Sequence, residues 1–179
     1  MSDLGERTTL HHGRRFDFEI VTHKGRDGRT LTREVVRHPG AVVIVPVLPD
    51  GRLILIRNFR IAVGEYTLEF PAGTLGRDED PRVCAARELI EETGHQADRL
   101  EGLGWFYTTP GLTDERMHAF VANGLTEVGQ QLEEDEDIEI EPHAQPEVHA
   151  MIRSGALRDG KSIVAFMLAS DRGLLGPPW

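Results

Sequence analysis

The sequence predicts an α/β fold with a mixed β-sheet, preceded by a small antiparallel β element. Short β-branched runs separated by Gly- and Pro-containing turns fill the first third of the chain, which indicates antiparallel strands. A helix with marked ends follows, and further strand-like and helical patterns continue towards the C-terminus. We therefore divide the chain into an N-terminal β element at residues 1–39 and a main domain at residues 40–179.

The early strands are predicted from apolar alternation and from the turns between them. Gly25-Arg-Asp-Gly28 separates the first pair of runs and Pro49-Asp-Gly51 separates the second, and both are turn sequences. The runs themselves have an alternating or β-branched pattern: residues 14–24, 30–37, 41–47 and 53–58.

Residues 81–93 predict a helix that carries three carboxylates. Asp80 suits the N-cap, Pro81 the first turn and Gly94 the position after the last turn. At about 100° per residue, the three carboxylates share one arc, and four apolar residues share the opposite one. We expect the apolar arc to face the core and the carboxylates to face solvent or a ligand. The apolar set is Val83, Ala86, Leu89 and Ile90, and the acidic set is Glu88, Glu91 and Glu92.

The remaining elements follow this helix. Strands are predicted at residues 100–108, 117–122 and 138–140, and helices at residues 146–154 and 162–171, the first of them stopped by Gly155.

Composition limits the classes of function. A net charge of −10 argues against a nucleic-acid surface, which needs clustered Lys and Arg. No apolar run approaches membrane-spanning length, and the N-terminus has no apolar segment, so we expect a cytoplasmic protein without a membrane partner. The single cysteine, Cys84, cannot form an internal disulfide and is expected to be a small buried residue.

The three carboxylates on the helix indicate a divalent-metal site. Like charges at this spacing repel one another, so a compensating cation is expected. Hard oxygen ligands suit Mg²⁺, with Mn²⁺ also possible. A solvated acidic helix face is the alternative.

The order of residues around the carboxylates is more specific than their charge. It matches the pattern G-x5-E-x7-R-E-U-x-E-E-x-G-U, where U is a bulky aliphatic residue, and resembles the signature of the Nudix hydrolases. His95 departs from the pattern, because an aliphatic residue is usual there. The resemblance implies hydrolysis of nucleoside diphosphates linked to another group, and an α/β/α sandwich over residues 40–172. The matching positions are Gly73, Glu79, Arg87, Glu88, Leu89, Glu91, Glu92 and Gly94.

The resemblance also implies roles for single residues. Glu88 and Glu92 match metal ligands, and Glu91 matches a residue that binds metal directly or through water. Arg87 matches an arginine that orients a glutamate, and Glu79 is expected to be a supporting polar contact.

Segments outside this signature resemble the ADP-ribose pyrophosphatase subfamily. Pro110 lies in a Pro-Gly-x-x-Asp-Glu element, and Ala72 matches an alanine that gives its carbonyl to metal. Arg33-Glu34 and Arg60 match substrate-binding positions, partly across a homodimer interface. For Arg33 and Arg60, a surface ion pair is the alternative. The N-terminal element is then expected to exchange between subunits.

The acidic run at residues 133–137 matches a loop that carries the general base in these enzymes. Alignment on Asp137-Ile138 places Glu134 at the base, with Glu136 as the second choice. A solvated acidic loop is the alternative.

These matches predict Mg²⁺-dependent cleavage of ADP-ribose to AMP and ribose 5-phosphate, with two or three metal ions. Hydrolysis of another nucleotide sugar, such as GDP-mannose, stays open. A non-catalytic sensor that binds a nucleotide sugar is a further alternative.

A second motif points to a different chemistry. Residues 155–162 match G-x4-G-K-[ST], the phosphate-binding loop of nucleotide-dependent phosphotransferases. That loop requires a preceding strand, whereas residues 146–154 have a helical pattern. We therefore interpret the segment as a polar turn between helices, with Lys161 as a turn residue.

Overall fold

A computed structural model describes residues 4–132 and 137–175. Its N-terminal part is an antiparallel sheet of three strands in the order β1-β2-β3: β1 (Leu4–His12), β2 (Asp17–Lys24) and β3 (Thr30–Arg37). The predicted hairpin is confirmed as β2 and β3. β1 was not predicted, because its residues from Gly5 onward are exposed and lack apolar alternation.

Seven further strands form two sheets. A four-stranded mixed sheet has the order β7-β4-β9-β8, with β4 and β9 parallel, and a three-stranded antiparallel sheet has the order β10-β5-β6. The strands are β4 (Ala41–Pro46), β5 (Leu53–Arg60), β6 (Glu65–Glu69), β7 (Ala72–Thr74), β8 (His95–Tyr107), β9 (Arg116–Glu127) and β10 (Ile138–His143), and the helices are α1 (Pro81–Thr93), α2 (Gln145–Ser154) and α3 (Gly160–Asp171).

Strand β4 lies at the centre of the core and is buried on both faces. Because side chains alternate along a strand, Val43 packs in the cluster that includes Phe166 of α3, and Ile44 packs in the cluster that includes Leu89 of α1. Helices therefore cover both sides of the sheets, and the predicted α/β/α architecture is confirmed.

Helix α1 has the predicted ends. The Asp80 side chain accepts a hydrogen bond from the backbone N–H of Arg82, and Gly94 adopts a left-handed conformation with φ of 68°. The predicted burial of its faces is wrong in part, because Val83 is 60% exposed whereas Glu88 and Glu92 are buried. The helix packs through the side that carries these two glutamates, so they lie at the border of the core rather than opposite it.

Two strands of the four-stranded sheet are longer than predicted. β8 begins at His95, directly after Gly94, and β9 continues to Glu127. Their polar ends are held by cross-strand pairing, which apolar periodicity does not register. No helix among the described residues is long and apolar enough to cross a membrane.

Candidate active site

A cavity of about 270 Å³ lies where α1 faces the ends of β5 and β7. It brings together the three carboxylates of α1, Arg87, Ala72 and Arg60, which the sequence analysis took from separate segments. The full lining is Arg15, Asn58, Arg60, Ala72, Gly73, Thr74, Gly76, Arg87, Glu88, Glu91 and Glu92.

Arg87 connects the acidic residues of the cavity. Its NH1 group lies 2.7 Å from Glu88 Oε1 and 2.7 Å from Glu91 Oε2, while Nε and NH2 each lie 3.2 Å from a carboxylate oxygen of Glu79. Burial opposes the charge of Arg87, but its hydrogen bond to Glu79 and the charge of Glu88 raise its pKa above the usual value. In this arrangement Arg87 holds three glutamates in fixed directions.

Strand β7 passes directly against the α1 carboxylates. The backbone N–H of Ala72 donates to Glu92 Oε2 at 2.8 Å, and a Cβ atom on Gly73 would lie 1.9 Å from the carboxyl carbon of Glu88. A side chain at this position would therefore require the Glu88 carboxylate to move away from β7. The Ala72 backbone and the two buried glutamates thus form one wall of the cavity.

The donor chemistry of this wall fits a hard divalent cation. Glu88, Glu91 and Glu92 supply carboxylate oxygens, and the Ala72 carbonyl lies on the adjoining strand. Among the described residues, however, no three acidic, His or Cys side chains converge as a ready-made metal shell. Arg87 occupies oxygens of Glu88 and Glu91, so a cation would compete with it for these ligands.

Arg60 forms a second charged group in the lining of the cavity. Its Nε lies 2.8 Å from Oε1 and its NH2 2.5 Å from Oε2 of Glu69, a carboxylate that is 2% exposed. Burial disfavours ionisation of Glu69, but the hydrogen bonds from Arg60 and the charge of Lys161 outweigh it and lower its pKa to about 2. A surface ion pair was the alternative considered for Arg60. Arg60 does form an ion pair at the edge of the cavity, but its partner Glu69 is buried.

The segment at residues 155–162 does not form a phosphate-binding loop. Helix α2 precedes it instead of a strand, and Gly155 ends that helix in a left-handed conformation with φ of 77°. The interpretation of Lys161 as a turn residue is wrong, because its side chain is only 13% exposed and pairs with Glu69 and Asp159. Sequence separation hid this contact, since Glu69 lies 92 residues before Lys161.

Three predicted site residues lie outside this cavity. Arg33 is exposed on β3, where its NH1 group donates to the Thr32 carbonyl at 2.8 Å, and Glu34 follows it. Pro110 lies in an exposed turn beyond β8, and this loop contacts β3 through the Val36 N–H and the Leu112 carbonyl at 2.9 Å. Within one subunit, Arg33, Glu34 and Pro110 are therefore not brought to the carboxylates.

The two candidates for the general base, Glu134 and Glu136, lie outside the described residues. The chain resumes at Asp137, whose Oδ2 accepts a hydrogen bond from the Tyr66 hydroxyl at 2.7 Å. The next residue, Ile138, pairs with Asn58, which lines the cavity. The acidic run therefore ends beside the cavity.

Sequence reasoning did not identify Arg15, Asn58, Glu69 or Lys161 as part of this region. Arg15 reaches the cavity from the turn between β1 and β2, and no ion pair to it is found among the described residues. No spacing pattern links these residues to the α1 carboxylates. Cys84 behaves as expected: it is buried, and burial raises the pKa of its thiol to about 12.

Comparison with known proteins supplies independent information. The family model described as the NUDIX domain matches residues 36–163. Similar proteins are a methanol dehydrogenase activator of Bacillus methanolicus, 35% identical over 172 residues (92% of this chain, 93% of that protein), and an ADP-ribose pyrophosphatase of Bacillus subtilis strain 168, 34% identical over 171 residues (92% of each chain). A GDP-mannose pyrophosphatase of Yersinia enterocolitica is 32% identical over 173 residues, covering 90% of this chain and 88% of its own.

A solved structure described as an ADP compounds hydrolase superimposes with a TM-score of 0.83. It covers 96% of this chain and 94% of its own at 24% sequence identity. At that identity the likeness establishes a shared fold.

Proposed function

The chain belongs to the Nudix family, and on that premise we propose that it hydrolyses the pyrophosphate bond of a nucleoside diphosphate sugar. ADP-ribose is the first candidate, with AMP and ribose 5-phosphate as products. One water adds across the bond: its oxygen joins one phosphorus, and the other phosphate leaves on the bridging oxygen. The observation that carries the proposal is a single cavity that is lined by both the α1 carboxylates and Arg60.

The metal is proposed to be Mg²⁺, with Mn²⁺ as a substitute. Glu88, Glu92, Glu91 and the Ala72 carbonyl would hold two or three ions. When bound, the metal neutralises pyrophosphate charge and lowers the pKa of a bound water. Gly73 supports this assignment, because the absence of a side chain there leaves room for the Glu88 carboxylate.

Arg60 is proposed to bind a substrate phosphate. A guanidinium has five N–H donors, and Glu69 takes two of them, so donors remain for the cavity side. Arg15, which lines the cavity without an ion pair among the described residues, is suited to the same role. Arginine suits both positions because its planar fork matches phosphate oxygens.

Glu134 is proposed to take the proton of the attacking water, with Glu136 as the second candidate. The register of Ile138 with Asn58 supports this role, since Ile138 follows the last residue of the acidic run and Asn58 lines the cavity. A base contributes only if it comes within hydrogen-bond reach of the water, which loop closure over substrate can achieve.

The working unit is proposed to be a homodimer. Arg33, Glu34 and Pro110 lie outside the cavity of their own subunit, and exchange of the N-terminal strands would bring Arg33 and Glu34 to the partner's cavity. Arg15 lies between β1 and β2, so it would move with these strands and line the partner's cavity as well. We also propose a cytoplasmic location, because the single cysteine is buried and unpaired, which suits a reducing compartment.

The proposal is tested with purified protein, Mg²⁺ and a panel of ADP-ribose, GDP-mannose and ADP-glucose in ¹⁸O-labelled water. Chromatography with mass detection should show two monophosphates, with one ¹⁸O atom on the phosphate that was attacked. Preference for GDP-mannose would change the substrate but keep the reaction. Bound but unchanged ligand across the panel would indicate the sensor and refute the hydrolase.

A further inference from the structure

Lys161 and Arg60 share one buried carboxylate behind the wall of the cavity. Arg60 bonds to both oxygens of Glu69, and Lys161 Nζ bonds to the Oε2 atom of the same residue. Lys161 also lies 3.0 Å from Oδ2 of Asp159. The side chains of Glu69 and Lys161 are 2% and 13% exposed, so water screens these contacts little.

The start of α3 holds Lys161 in this position. Asp159 caps the helix by accepting from the Ser162 backbone N–H at 3.1 Å and from the Ser162 hydroxyl at 2.5 Å. The same hydroxyl accepts from the backbone N–H of Phe70 at 2.7 Å. Phe70 follows Glu69 directly, so one helix end fixes both the lysine and the strand that carries the carboxylate.

Sharing the carboxylate changes what Arg60 can do. If Glu69 had Arg60 as its only cationic partner, the two would form a closed neutral pair, and a substrate phosphate would compete with a buried carboxylate for the guanidinium. Because Lys161 neutralises part of the charge of Glu69, Arg60 keeps more of its positive charge for the cavity. The N–H donors of Arg60 that Glu69 does not use stay available in either case. Lys161 also balances Asp159, which would otherwise add a second negative charge behind Arg60.

We propose that Lys161 is a positioning residue of the substrate site, which acts through Glu69 to keep Arg60 available to a phosphate of the nucleoside diphosphate. This inference rests on the proposed function, because it requires a phosphate in the cavity. This role for the lysine of the G-x4-G-K-S segment does not require that segment to be a phosphate-binding loop.

A mutant cycle with Glu69 tests the inference. Binding of α,β-methylene ADP-ribose with Mg²⁺ is measured by calorimetry, and KM and kcat are measured with ADP-ribose. Lys161→Met should weaken binding and raise KM about tenfold, within the range for residues of one ion-pair network, with kcat nearly unchanged because uniform binding is lost. Lys161→Arg should stay within about twofold of the wild type, since it restores the charge.

The decisive measurement is made in the Glu69→Gln protein. There Lys161→Met should change binding by less than about twofold, because the carboxylate through which it acts has been removed. The chain has two lysines, so Lys24→Met is a matched control on the exposed N-terminal sheet and should leave both parameters unchanged. If Lys161→Met fails to fold, Lys161→Gln takes its place.

An equal effect of Lys161→Met in the wild type and in the Glu69→Gln protein would overturn the inference, as would a loss of kcat with constant KM. Wild-type protein that neither binds the analogue nor cleaves ADP-ribose would instead refute the proposed function, and this inference with it. If the wild-type protein binds the analogue but the effects of Lys161→Met and Glu69→Gln on binding are additive, the Lys161 inference alone is refuted.

Discussion

Replacing Glu92 by glutamine separates the charge of this residue from its structural contact. Glu92 is 3% exposed, and its Oε2 accepts the Ala72 N–H at 2.8 Å. A glutamine has nearly the same shape, and its amide oxygen can accept the same hydrogen bond. Glu92→Gln therefore removes the charge of a proposed metal ligand while keeping the contact between α1 and β7.

The two effects have different expected magnitudes. Loss of a strong electrostatic stabiliser at a reacting centre lowers kcat by roughly 10²- to 10³-fold, about 2.7–4 kcal/mol. The retained hydrogen bond limits the change in unfolding free energy to about 1 kcal/mol, which shifts the melting temperature by only about 2–4 °C in a chain of this size. Glu92→Ala, in contrast, leaves the Ala72 N–H without this acceptor and should cost about 1–3 kcal/mol of stability.

The assay combines steady-state release of AMP from ADP-ribose with calorimetric melting. Glu127→Gln is the matched control, because Glu127 is an exposed glutamate at the end of β9 and does not line the cavity. Near-normal kcat for a folded Glu92→Gln protein would refute the metal assignment. A collapse of the melting temperature would show instead that the charge itself holds the fold.

Three further results are expected. The pKa of Glu69 is lowered to about 2 from its ordinary value of 4.5, so its contribution to stability, on the order of 3 kcal/mol, is present above about pH 4.5 and is lost as the pH falls towards 2. Urea unfolding at pH 7 and pH 3 should therefore show a smaller difference in stability for Glu69→Gln than for the wild type. Glu134→Gln should lower kcat by about 10²- to 10⁴-fold with little change in KM, whereas a large loss in Glu136→Gln instead would shift the alignment by two residues. Light scattering should show a homodimer, and an active monomer would contradict the exchange. A mixture of Arg33→Ala and Glu92→Gln subunits should recover up to about a quarter of wild-type activity, because random C₂ pairing makes half of the dimers mixed and restores one of the two sites in each mixed dimer.

The sequence predicts those parts of the site whose residues lie close together along the chain, and it does not predict contacts between distant segments. The carboxylates of α1 and Arg87 are fixed by helical spacing, so the pattern predicted that they lie together. Their burial was not predictable in the same way, since it depends on which side of α1 meets the sheet. Val83 shows this, because it has the hydrophobicity of a core residue and yet is 60% exposed.

The Glu69 cluster is the opposite case. Its members come from β5, β6 and the start of α3, and no periodicity connects positions 60, 69 and 161. The local motif around Lys161 even suggested a different chemistry, because Gly, Lys and Ser at that spacing also suit a capped helix start. Here Asp159 supplies the cap, and the lysine side chain turns towards a buried carboxylate.

Electrostatics explains why a chain with a net charge of −10 needs both metal and this cluster. The lining of the cavity holds three arginines and three glutamates, but two of the arginines are committed: Arg60 to Glu69, and Arg87 to Glu79 and two residues of the lining. Arg15 alone among the cationic lining residues has no ion pair within the described parts of the chain. A pyrophosphate therefore meets a surface with little free positive charge. Divalent ions at the carboxylates would reverse that sign there, and Lys161, in the role proposed for it, would leave Arg60 as the cationic group for a phosphate.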